Sequence, residues 1–179
     1  MSNKFIIADP DRCIACGTCM AACIMKHDTD ADVAEPRLNV VVASATTAPV
    51  ACHHCVDAPC AAACPTGALF QDKDNQRVAI DESKCIGCRS CVMACPFGAV
   101  SVTTKEVPVK MGDLLIGERQ KAMVVKCDLC VDRPGGPACV EACPTAGLRV
   151  VEQDTLTESV RARQVKAAEA TETMAHAAV

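Results

Sequence analysis

Twelve consecutive residues, Cys85-Ile86-Gly87-Cys88-Arg89-Ser90-Cys91-Val92-Met93-Ala94-Cys95-Pro96, present four thiols spaced C-x2-C-x2-C-x3-C-P. Thiolates at this spacing suit a [4Fe–4S] cube. Three cysteines at intervals of three wrap a tight loop around one cube, and a helical turn carries the fourth to a neighbouring cube. Gly87 relieves crowding in the loop, letting backbone N–H groups turn toward sulfur. Pro96 ends the helical turn because it has no N–H to donate.

Three more groups vary the theme. Cys13, Cys16, Cys19 and Cys23 keep the spacing, with Gly17 in the loop, but Ile24 replaces the proline. Their helical turn is therefore expected to continue through residues 25–27. Cys52, Cys55, Cys60 and Cys64 read C-x2-C-x4-C-x3-C-P, and Cys127, Cys130, Cys139 and Cys143 read C-x2-C-x8-C-x3-C-P. No cysteine of the sixteen is left over. If adjacent groups exchange their fourth ligand, Cys52, Cys55 and Cys60 share a cube with Cys95, and Cys85, Cys88 and Cys91 share one with Cys64. The outer groups are left for each other: Cys13, Cys16 and Cys19 with Cys143, and Cys127, Cys130 and Cys139 with Cys23.

Zinc is the rival metal, since C-x2-C pairs also build four-cysteine zinc sites. Such sites do not require a third cysteine three residues on, followed by C-P. A secreted disulfide scaffold is the other use of cysteine at this density. The N-terminal apolar run (residues 5–8) is too short for a signal-peptide core, so a cytoplasmic location with reduced thiols is expected. Export with a signal-bearing partner stays open. No stretch is long and apolar enough for a membrane span.

The elements that hold these groups are short. The 179 residues include three phenylalanines and neither tryptophan nor tyrosine. An aromatic core is thus out of reach, and metal cubes would fill the interior instead. Strands are expected over residues 5–8, 38–45, 99–107 and 148–151, with a hairpin from 68–70 and 77–80 and a polar loop over 28–37. Residues 8–13 and 80–85 echo each other, placing an aspartate and a basic residue before the first ligand of each group. The C-P-x-G/A-A/G-L/V endings at Cys64, Cys95 and Cys143 also point to duplicated units. Residues 105–123 form an insertion, read either as a loop folded over the cubes or as a docking patch around Leu114-Leu115-Ile116. From Thr155 onward the composition is helical, with Thr155-Leu156-Thr157-Glu158 fitting a capping box.

The formal net charge is −4 with thiols neutral. Four cubes with their thiolates would bring it to about −12, which argues against nucleic-acid binding. His53 and His54 lie between two ligands and read as a solvated or cluster-tuning pair. Arg12, Lys84, Arg89 and Lys126 are surface cations or charges that raise cluster potentials. Neither a nucleophile–base pair nor a phosphate loop is visible, so no catalytic residue is assigned.

The cysteine pattern, with Cys52-His53-His54-Cys55-Val56-Asp57-Ala58-Pro59-Cys60, Lys126-Cys127-Asp128-Leu129-Cys130 and Gly136-Pro137-Ala138-Cys139, resembles the four-cluster ferredoxin-type electron-transfer subunits (HycB/HydN/CooF-like) over about residues 3–152. These include small iron–sulfur subunits of formate dehydrogenase, tungsten aldehyde oxidoreductase and related complexes. The resemblance implies an α+β architecture of tandem bacterial-type 2[4Fe–4S] ferredoxin folds, with short strands and helices around four clusters. It implies an outer unit of residues 1–50 plus 105–154, an inner unit of 51–104 and a helical tail of 155–179. It further implies a non-catalytic subunit that passes single electrons between a catalytic oxidoreductase subunit, a molybdenum or tungsten enzyme first, and a second redox partner. The alternatives are a free polyferredoxin, a hydrogenase or carbon monoxide dehydrogenase subunit, and a non-redox metal protein.

Overall fold

Cysteine loops interrupt the chain so often that only short elements fit between them. The computed structural model describes residues 3–27, 34–112 and 114–177. In chain order these form β1 (Lys4–Ala8), α1 (Thr18–His27), β2 (Leu38–Ala43), β3 (Thr46–Ala51), α2 (Pro59–Ala62), β4 (Leu69–Asp72), β5 (Arg77–Ile80), α3 (Ser90–Ala94), β6 (Ser101–Met111), β7 (Leu114–Val125), α4 (Ala138–Glu141), β8 (Leu148–Glu152) and α5 (Gln153–Ala177). The strands make four antiparallel pairs. β1 pairs with the distant β8 (Phe5 opposite Val151), while β2–β3, β4–β5 and β6–β7 are local hairpins.

Two cores result. Around β1 and β8, Ile6, Leu38, Leu129 and Leu148 pack with Cys19, Cys23, Cys52, Cys127 and Cys139. Around β4 and β5, Leu69, Val78, Val100 and Val124 pack with Cys60 and Cys91. Helices α1 and α4 pack together on the first core, and α2 and α3 on the second.

Proline decides how long each helix runs. Pro65, Pro96 and Pro144 follow the last cysteine of their groups, and α2, α3 and α4 span only four or five residues. α1 has Ile24 at the equivalent point and continues to His27, ten residues in all. Pro59 opens α2 at a position where its missing N–H costs nothing.

Several expectations change. The strand expected over 38–45 ends at Ala43, and a turn leads into β3, which the composition did not signal. Pro49 lies in β3, opposite Val40, within a two-stranded pair whose outer edges leave room for it. The expected loop at 105–123 is instead the upper part of the β6–β7 hairpin, and the boundary expected at 104/105 falls inside β6. Its tip exposes Met111, Leu114, Leu115 and Ile116. The capping box does not form. α5 starts at Gln153, and the Thr157 hydroxyl donates to the Gln153 carbonyl within the helix. The α5 side chains through Thr171 face solvent apart from Leu156. Of the polar loop expected over 28–37, residues 28–33 lie outside the described residues.

Candidate iron–sulfur sites

The four cysteine loops share one backbone device. The residue before the second cysteine has a left-handed φ in each: Ala15 (57°), His54 (46°), Gly87 (73°) and Leu129 (64°). This reversal turns successive N–H groups inward, as an anion-binding nest requires. Two loops show the result, with His54 N–H on Cys52 Sγ and Leu129 N–H on Cys127 Sγ, each at 3.4 Å. Only one of these four residues is glycine. At Gly87 the constraint is packing, because a Cβ there would overlap Ala122 Cβ on β7.

Four sets of thiols come together. Cys13, Cys16, Cys19 and Cys143 line one recess. Cys64, Cys85, Cys88 and Cys91 line another, together with Val102 and Val124 of the hairpin base. Cys23, Cys130 and Cys139 lie within electrostatic reach of one another, as do Cys139 and Cys127. Cys52 and Cys95 act in the same way on both Cys55 and Cys60.

Exposure divides the sets. Cys16 and Cys88 are exposed, one in each recess, whereas Cys23, Cys127, Cys130 and Cys139 are all buried. The Thr18, Ser90 and Thr145 hydroxyls lie 3.3, 3.4 and 3.5 Å from the sulfurs of Cys16, Cys88 and Cys143. These contacts hold the three thiols below their ordinary pKa. In the buried set, burial pushes Cys127 and Cys139 up to about 12. Such thiols keep their protons until a metal displaces them.

Two groups read as surface residues are interior. His54 is fully buried. Its Nδ1 accepts the Val78 N–H at 3.1 Å, its carbonyl accepts from Asn3 Nδ2, and burial drops its pKa to about 3. The ring is therefore neutral with its proton on Nε2, which has no partner among the described residues. His53 stacks between Phe5 and Phe97 at centroid distances of 4.9 and 3.9 Å. The solvated-pair reading is thus corrected. Lys126 is 2 % exposed, its Nζ donating to the Cys127 carbonyl at 2.8 Å. Burial pushes its pKa down, and the sulfurs of Cys52, Cys127 and Cys60 push it back up. Arg12, Lys84 and Arg89 stay exposed, as expected.

Asp128, inside the fourth loop, is a junction the spacing did not reveal. Its carboxylate accepts from Arg37 Nη1 at 2.7 Å and lies 3.4 Å from His27 Nε2, and its carbonyl accepts from Arg77 at 2.9 Å.

These donor sets fit iron–sulfur cubes: soft thiols in fours, N–H groups aimed at sulfur, and an orphaned imidazole N–H beside one set. Fold and donors together define a ferredoxin-type iron–sulfur protein. The chain matches the 4Fe-4S dicluster domain family over residues 43–153 and a second 4Fe-4S dicluster domain family over residues 12–69. It is 42% identical to the electron transport protein HydN of Escherichia coli K12 over 86% of this chain and 91% of HydN. Hydrogenase-4 component A of the same organism is 39% identical over 93% of this chain and 91% of that protein. AegA of Escherichia coli K12 is 39% identical over 93% of this chain, which spans 24% of AegA's length. The chain belongs to the 4Fe-4S dicluster family of electron-transfer proteins, and its two dicluster domains carry four [4Fe–4S] clusters. Among the described residues no helix is long and apolar enough to cross a membrane.

Proposed function

We propose that this chain is the electron-transfer subunit of a cytoplasmic multisubunit oxidoreductase and transforms no substrate itself. Its cubes are held by Cys13/Cys16/Cys19/Cys143, Cys23/Cys127/Cys130/Cys139, Cys52/Cys55/Cys60/Cys95 and Cys64/Cys85/Cys88/Cys91, in that order along the path. The first two sets belong to an outer unit and the last two to an inner unit, with the β6–β7 hairpin between Cys95 and Cys127 packing its base on the inner core. A molybdenum or tungsten enzyme oxidising formate or an aldehyde stands at one end, and a second redox partner at the other.

The observation that carries this reading is the distribution of exposure among the four thiol sets. The sets at the two ends each contain an exposed cysteine, whereas between them the Cys23 set is wholly buried and the Cys52 set has two buried thiols, Cys52 and Cys60, and none exposed. An insulated middle with two accessible ends suits a wire between partners better than a store or a structural metal. When bound, each cube supplies one-electron chemistry. The chain's own residues position thiolates, donate N–H and O–H groups to sulfur and keep water from the middle. The partner is tested by isolating the native complex without oxygen and measuring its metals. Molybdenum or tungsten in stoichiometric amount with iron is expected, and a partner complex containing neither overturns this choice.

A further inference from the structure

Of the four cations beside cysteine groups, one is inside the protein. Lys126 is 2 % exposed and its Nζ is anchored 2.8 Å from the Cys127 carbonyl, where it feels Cys52 and Cys60, the two buried thiols of one set, as well as Cys127 and Asp128 of the next. Its chain position explains this, because β7 ends at Val125, one residue after Val124 of the second core, and Cys127 enters the first. An ammonium in such a place needs compensating negative charge nearby. Cubes with four thiolates supply it, and each gains one more negative charge on reduction.

Burial has the opposite effect on the cubes. Removing water penalises whichever redox state carries more charge, which here is the reduced one. The two middle cubes would therefore be the hardest to reduce, and an electron would climb at the centre of its path. We propose that Lys126 is the residue that sets the potentials of the two middle cubes, its buried positive charge offsetting their desolvation so that electrons cross the centre. The exposed cations Arg12, Lys84 and Arg89 have no such effect, because water screens them. The inference rests on the electron-transfer reading above.

The test is an anaerobic potentiometric titration of the full-length holoprotein, followed by electron paramagnetic resonance, with iron measured in every sample. Lys126→Gln is expected to lower the one-electron reduction equilibrium of two cubes by at least about tenfold, which is about 59 mV, and to leave the other two in place. Lys126→Arg should keep the wild-type values, and Lys84→Gln should move none of them comparably. Lys126→Met is the second neutral variant. Fully loaded Gln or Met variants with unchanged potentials overturn the inference, as do equal shifts of all four cubes. Loss of iron in both neutral variants, with Lys126→Arg intact, also overturns it in favour of a structural role. A wild-type protein whose cubes undergo no reversible reduction overturns the underlying electron-transfer reading instead.

Discussion

At the scale of single residues, the spacing of sixteen cysteines announced the chemistry, whereas the groups that adjust it were hidden. A thiol shows itself in sequence because ligand loops impose short fixed intervals. Burial of a polar side chain shows no such interval. His54 and Lys126 look like loop residues until β5 and the two cores close around them. The hydroxyls of Thr18, Ser90 and Thr145 stand two residues after a cysteine in each case, a signal that the sequence did contain. His54→Leu removes the acceptor of a buried Val78 N–H and should cost about 1–3 kcal/mol, measurable in the iron-loaded protein by thermal unfolding. A wild-type melting point would mean that this N–H finds another partner. Cys139→Ser should remove one cube, taking about a quarter of the iron with it and leaving the spectra of the others. Loss of half the iron would show that the shared helix α4, which also carries the chain toward Cys143, collapses with it.

Among elements, short apolar runs located β1, β4, β5 and β8, and proline placement set the helix lengths. Of the β6–β7 hairpin only the strand over 99–107 was legible; the upper strands carry charges on both faces, so a one-sided apolar pattern fails there even though the strands pair to the tip. β3 escaped because Thr, Ala and Pro give little strand signal. The hairpin base and the third cysteine loop form one packing unit, and this can be measured. Gly87→Ala should destabilise by about 1–3 kcal/mol through its clash with Ala122, and Ala122→Gly in the same chain should recover most of the loss. The equivalent loops tolerate Ala15, His54 and Leu129 at similar φ, so backbone strain alone predicts no such rescue. In α1, Ile24→Pro should shorten the helix at a cost of about 3 kcal/mol and withdraw His27 from Asp128. Circular dichroism and iron retention at raised temperature would register it. An unchanged helix content would show that the last turn of α1 contributes nothing.

For the whole molecule, two cores are found, the first including Ala51 and Cys52 and the second including Val124. Five of the ten residues in the first buried core are cysteines, so sulfur and what it binds take the place of aromatic side chains. Folding is then linked to metal. Binding releases the protons that burial keeps on Cys127 and Cys139, so cube assembly should be favoured as pH rises and opposed as it falls. The measurement that bears most directly on the account is a stepwise anaerobic reduction of the purified chain with iron and zinc determined on the same sample. About 16 irons per chain, with up to about four electrons taken up one at a time and returned on reoxidation, is the predicted result. Zinc in place of iron, or iron that accepts no electrons reversibly, would contradict it.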